Sequence, residues 1–264
     1  CGRKIIYATS CTRREYGNYF DVMGAFFNGL HFNAAFKDAF GWLNRNIIQI
    51  TASGTYTIKP LVVPLAEGAT ILPTDMRAAK IYSQGFSSPS FYLEYRRALG
   101  FDAPGLSRDS QVARNQRGLM INWTGDRSDI PAPRLLDMKQ NYPAAPSDDW
   151  SIVALSGGQI FSDAGLGIKI GPILSATEEG ITFNVEISAP TCVRRKPVID
   201  TLPEWTVSRG QRLWIPMKLF NVDSPACETS QFQGDIPEFP SGWTWWSTSL
   251  PAITITLIPD NWVF

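Results

Sequence analysis

From Ile47 to about Ser188 the chain is cut into apolar segments of strand length by Gly, Pro and other turn residues. "SFYLEYRRAL", "RGLMINWTG", "GGQIFSDAGLGIKIGPIL" and "EEGITFNVEIS" are rich in β-branched and aromatic side chains, and "QITASGTYTIKPLVV" alternates in shorter runs. In "GITFNVEIS" the residues Ile181, Phe183, Val185 and Ile187 share one face, and Thr182, Asn184 and Glu186 the other. A strand with one dry and one wet face follows from that alternation. Strands this close together, with no helical period between them, predict an antiparallel β sandwich or barrel.

The residues before this zone read differently. In "LHFNAAFKDAFGWL" the side chains Phe32, Phe36, Phe40 and Leu43 recur at spacings of four, four and three. That spacing predicts a short amphipathic helix with those residues inward, Asn28 as its N-cap and Gly41 near its end. After the β-rich zone, "APTCVRRKPVIDTLPEW" reads as a linker: Pro190, Pro197 and Pro203 cannot donate to a ladder, and Arg194, Arg195 and Lys196 form a solvated basic triplet. "RLWIPMKLFNVDSPAC" and "PAITITLI" then read as strands of a second, smaller β unit, of a size that suits an Ig-like sandwich. The expected fold class is mainly β, with residues 1–46, 47–189 and 190–264 as three zones.

The chain has 264 residues, 44% of them hydrophobic, so it can bury a sizeable core. Its 24 basic and 24 acidic residues balance to zero net charge, which argues against an electrostatic nucleic-acid or membrane-surface role. No apolar run approaches the roughly 20 residues of a membrane span, and no secretory leader stands at the start. Because position 1 is Cys, the chain reads as a piece of something longer. Cys1 and Cys11 lie close in sequence, and Cys192 and Cys227 form a second group; neither has zinc-ribbon spacing. Two local disulfides, Cys1–Cys11 and Cys192–Cys227, would place the chain in an oxidising compartment. Four buried free thiols are the alternative. Asn122-Trp123-Thr124 is a glycosylation sequon.

Catalytic chemistry finds little within these residues. The single histidine, His31, sits among Phe residues, where an imidazole is usually structural, and a zinc site built from this chain alone would be unusual. No Gly-x-Ser-x-Gly elbow occurs, and "GLGIKIG" does not lead into a helix as a phosphate loop must. Asp126, Asp129, Asp148 and Asp149 lie in Pro-rich loops; they read as solvated, with an oxygen-ligand calcium site as the alternative. Trp243, Trp245 and Trp246 in "GWTWW" read as packing, with a sugar-stacking platform as the alternative.

Several segments, in order, resemble a known family. "CG…SCTRREYGNYFDVMG", "HFNAAFKDAFGWL", "SGTYTIKPL", "FYLEYRRALGFDAP", "RLLDM" and "LSGGQIFSDAGLGIKI" are similar to successive parts of the gametolysin-like secreted zinc metallopeptidases. "NVDSPACETSQF" followed by "PSGWT" resembles an Ig-like module often attached behind such enzymes. The resemblance implies that residues 1–46 close a catalytic domain, ending in Gly41, Trp42 and Leu43. It implies a Met-turn formed by Tyr16, Asp21, Met23 and Gly24, in which Met23 floors a zinc site without ligating the metal. Asn18 stands where the family pattern often has Asp. The His-Glu-x-x-His zinc helix has no counterpart here, and the resemblance places it upstream of Cys1. On this reading the parent enzyme is a secreted zinc endopeptidase acting on protein or peptide substrates, while this chain alone holds no zinc and cleaves nothing. The competing expectation is a non-catalytic extracellular protein that binds a wall or matrix polymer.

Overall fold

A computed structural model describes residues 16–24, 30–64, 71–82, 91–107, 110–124, 133–138, 152–194, 196–200, 218–221, 223–224, 226–235, 252–257 and 262–263. The chain is mainly β and forms two compact units, Cys1–Pro190 and Thr191–Phe264.

Within the first unit, helix α1 (Ala34–Ala39) precedes strands β1 (Ile47–Ile50), β2 (Gly54–Ile58), β3 (Ala78–Ile81) and β4 (Phe91–Tyr95). Short helices α2 (Ala103–Leu106) and α3 (Ser110–Ala113) lead to β5 (Gly118–Trp123), β6 (Arg134–Leu135), β7 (Leu155–Ser156), β8 (Phe161–Asp163), β9 (Ile168–Ala176) and β10 (Ile181–Ile187). One sheet runs β1-β3-β4-β5-β6, with β7 also on β5; the other runs β2-β10-β9-β8. All these pairs are antiparallel except β1 with β3, where Ile47 faces Ala78 in a parallel ladder. The chain between β1 and β3 contains β2, which belongs to the other sheet, so it returns to the first sheet in the same direction.

The two sheets share one core. Ala79, Ile81, Phe91, Leu93, Leu119 and Ile121 from the first meet Ile58, Phe161, Ile170, Ile181, Phe183 and Val185 from the second. β10 carries the expected alternation, its buried residues being Ile181, Phe183 and Val185. β9 contains Pro172, which cannot donate to a ladder, and the register with β10 shifts between Phe183 and Val185. The opposite face of the first sheet is also covered. Ala78 and Tyr92 pack with Ala34, Ala35 and Leu43, and Met120 packs with Phe20 and Leu30. β4 and β5 are therefore buried on both faces, which brings Glu94 and Asn122 inside with their apolar neighbours.

Helix α1 differs from its expected form. It is only six residues long, and its N-cap is Asn33, whose side chain accepts from Phe36 N; Asn28 lies outside the described residues. Its buried face is Ala34, Ala35 and Lys37, not the Phe spacing. Small Ala side chains let the helix approach Ala78 and Tyr92 closely, and the bulky rings are displaced outward. Phe40 and Trp42 are 51% and 54% exposed.

In the second unit, β11 (Val198–Asp200), β12 (Lys218–Phe220) and β15 (Trp262–Val263) form one antiparallel sheet, and β13 (Ser230–Asp235) pairs with β14 (Ala252–Leu257) in another. A disulfide joins Cys192 to Cys227. Asn221, Asp223 and Ser224 bind the chain together near it. Asn221 Oδ1 accepts from Asp223 N at 3.0 Å, and the Ser224 hydroxyl donates to Thr191 O at 2.8 Å while accepting from Val193 N at 2.9 Å. Buried Asp223 accepts from Arg194 at 2.9 Å and from the Ser230 hydroxyl.

Candidate functional site

The stretch from Tyr16 to Gly24 forms a tight turn held by its own side chains. Asn18 Oδ1 accepts from Phe20 N at 2.9 Å, Asp21 Oδ1 accepts from Met23 N at 2.8 Å, and Gly24 N donates to Asp21 O at 2.9 Å. Asn18 enters this bond through an oxygen acceptor, which an Asp side chain also carries. A Cβ on Gly24 would stand 2.0 Å from Asn18 O, so only glycine closes the turn. Phe20 anchors the turn in the core at 1% exposure, whereas Tyr16 and Met23 are 71% and 57% exposed. The Met23 thioether is thus directed away from the core of these residues.

Asp21 also fixes the turn to the rest of the unit. Its second oxygen accepts from Asn33 N, at the entry to α1, at 2.9 Å. The next amide, Ala34 N, donates to Glu94 Oε2 at 2.6 Å, and His31 N donates to Asp102 Oδ1 at 2.8 Å. Arg96 closes the set. It donates to Glu94 at 3.2 Å and Asp102 at 2.9 Å, and to the carbonyls of His31 and Phe32 at 3.2 Å. The backbone from His31 to Ala34 is therefore clamped by Asp21, Glu94, Arg96 and Asp102, all of them buried. Burial raises the carboxyl pKa values of Asp21 and Glu94 despite the amides and Arg96 that stabilise their charged forms. Burial would lower that of Arg96, but Asp102 and Glu94 overcome it and raise it.

Over this clamp sit aromatic rings. His31 meets Trp42 and Phe101 edge-on at centroid distances of 5.9 and 5.6 Å, and Phe32 meets Phe40 and Trp42 at 5.4 Å each. Burial, and then the nearby Lys37 charge, push His31 down to about 4, so its ring is neutral at physiological pH. Its Nδ1 already accepts from Phe32 N at 2.8 Å.

These residues do not fit a zinc ion. His31 is the only histidine in the sequence, and among the described residues no three His, Cys, Asp or Glu side chains are grouped to hold a metal. Asn122 is fully buried in β5, with neither amide atom hydrogen-bonded, which leaves no room for a glycan in the folded chain. Cys1, Cys11, Asp126, Asp129, Asp148, Asp149, Trp243, Trp245 and Trp246 lie outside the described residues. Sequence reading missed the clamp. Its one signal was two opposite charges, Glu94 and Arg96, two residues apart just after the apolar run Phe91–Leu93. No known family's model, curated protein or solved structure matches the chain.

Proposed function

We propose that the chain is the closing part of the catalytic domain of a secreted zinc endopeptidase, followed by β-rich regions and an Ig-like module. In this reading Tyr16–Gly24 is the Met-turn, and the zinc ligands come from residues outside this chain. The observation that carries the reading is the fastened turn. Asp21 holds Met23 N with one oxygen and Asn33 N with the other, and Met23 projects from the core at 57% exposure. An exposed thioether on a rigid turn is a soft surface that imidazoles could pack upon. The ordered sequence resemblance supports the same assignment. The substrates are extracellular or wall proteins. The test is expression of the complete gene product, with zinc content and chelator-sensitive peptidase activity measured. One zinc per chain, lost more readily after Met23→Ser, is expected; a full-length product without zinc or hydrolysis overturns the proposal.

A second reading is a non-catalytic protein that recognises a wall or matrix polymer. The exposed rings Phe40, Trp42 and Phe101 favour it, because aromatic faces outside a core can stack on sugars. Polysaccharide co-sedimentation lost in Trp42→Ala would support it.

A further inference from the structure

Strand β2 has a role in neither reading. Among the described residues it pairs on one side only, with β10, and so ends the second sheet. At five residues it is the longest described edge strand of the first unit; β1 has four, β8 three, and β6 and β7 two each. Edge strands are ordinarily kept from pairing with other chains by shortness, by charge, by Pro or by a bulge. β6 carries Arg134 and β8 carries Asp163, whereas Gly54-Thr55-Tyr56-Thr57-Ile58 has none of these devices. β1 is uncharged too, but only Gln49 in it is exposed, while Gly54, Thr55 and Thr57 are all exposed in β2.

The chemistry of this edge suits a second copy of the same chain. Thr55-Tyr56-Thr57 reads the same in both directions. Two copies laid antiparallel about a two-fold axis at Tyr56 therefore set Thr55 of each against Thr57 of the other, and Tyr56 against Tyr56. Contacts of the first kind already exist inside the chain. The Thr57 and Thr182 hydroxyls lie 2.9 Å apart across the β2–β10 ladder, and the Thr55 hydroxyl donates to Asn184 Oδ1 at 2.7 Å. Tyr56, half-buried with its ring centroid 6.5 Å from that of Phe183, would gain a second ring neighbour. Cross-strand Thr pairs and aromatic pairs each stabilise a sheet. No charge opposes the approach, because β2 is uncharged and the 24 basic and 24 acidic residues of the chain balance.

We propose that β2 is a self-association edge, at which two copies of this chain pair antiparallel with Thr55 of one opposite Thr57 of the other. The two four-stranded sheets then join through β2 into one continuous sheet. The outward N–H and C=O groups of each edge find their partners in the other copy, and the same residues serve on both sides of the axis.

The test is sedimentation equilibrium of the intact chain and of two double variants at exposed positions. The parent is expected as a concentration-dependent dimer. Thr55→Lys with Thr57→Lys sets lysine against lysine at both Thr contacts, and should weaken dimerisation at least about tenfold. Thr55→Lys with Thr57→Glu alters the same two positions but sets Lys against Glu, and should keep dimerisation within about threefold of the parent. Hydrogen exchange of the unaltered chain gives a reading that needs no variant: amide protection across 54–58 should rise with chain concentration. A parent that stays monomeric, protection at 54–58 that ignores concentration, a dimer that survives the two lysines, or equal losses in both double variants overturns the assignment.

Discussion

Arg96 Nη1 lies 2.9 Å from Asp102 Oδ2 and 3.1 Å from Oδ1, and both side chains are wholly removed from solvent. Burying two charges is favourable only when their remaining polar atoms are also satisfied. Here Asp102 also accepts from His31 N, and Arg96 also reaches Glu94 and two carbonyls, so the pair is the centre of a filled network. Removing the guanidinium leaves two buried carboxylates without their cation. Arg96→Met should therefore destabilise the chain by about 3–5 kcal/mol, read as a lower urea midpoint. Adding Glu94→Gln and Asp102→Asn should recover much of the loss, because the uncompensated charges are then gone. A single variant as stable as the parent would show that the network contributes nothing.

The helix entry gives a smaller, separable effect. Asn33 Oδ1 accepts from Phe36 N at 3.1 Å, while its Nδ2 is buried without a partner. Asn33→Ala removes the cap and should cost about 1 kcal/mol, whereas Asn33→Ser keeps an acceptor and discards the unsatisfied donor. Chemical denaturation of the two variants should rank Ser clearly above Ala; the reverse order would remove the cap from the account.

What the sequence disclosed and what it hid have physical reasons. Strands such as β10 were legible because their side chains alternate between a dry and a wet face. β4 and β5 show no such alternation because both of their faces are covered, which also conceals the reason that Glu94 and Asn122 lie there. The helix was legible as a helix, but its orientation was not. Its Phe spacing outweighed the Ala pair in any count of apolarity, yet close approach to Ala78 and Tyr92 selects the small residues. The turn that ends at Gly24 was expected only through the family resemblance, which named Tyr16, Asp21, Met23 and Gly24. The partners of Asp21 were not legible, since Asn33 meets it only once the chain has folded back.

Met23 should matter little to this chain's stability. At 57% exposure it has no core to leave, so Met23→Ala should change the unfolding free energy by less than about 0.5 kcal/mol. A loss of several times that size would mean that the thioether packs within these residues and is not free for a partner surface.

Asn122 offers a test in the opposite direction. Its side chain is fully buried and neither amide atom is bonded, a condition that costs about 1–3 kcal/mol. Asn122→Leu, which keeps the branched skeleton and removes both polar atoms, should hold or raise the thermal midpoint, and the folded product of a eukaryotic secretory host should carry no glycan at this site. A fully glycosylated, natively folded product would contradict the burial.

The last prediction concerns pH. Lys37 falls from an ordinary value of 10.5 to about 8 in the folded chain, through burial and then Arg96, opposed by Asp102 and Glu94. Between these values the unfolded chain holds a proton that the folded chain has released, so folding stability must rise with pH. Below about 8 both states are protonated, and the fold bears the whole cost of a buried ammonium, about 3 kcal/mol. Tyr92 acts in the other sense, because burial and its bond to Asp38 raise its pKa, but only above the ordinary tyrosine range. The clean window is therefore roughly pH 8 to 9.5, with Lys37→Met as the reference that lacks the titrating amine. The stability of the parent relative to this variant should climb by about 2 kcal/mol across that window, measured by urea unfolding at each pH. A flat difference would mean that the Lys37 ammonium is solvated and paired as other lysines are.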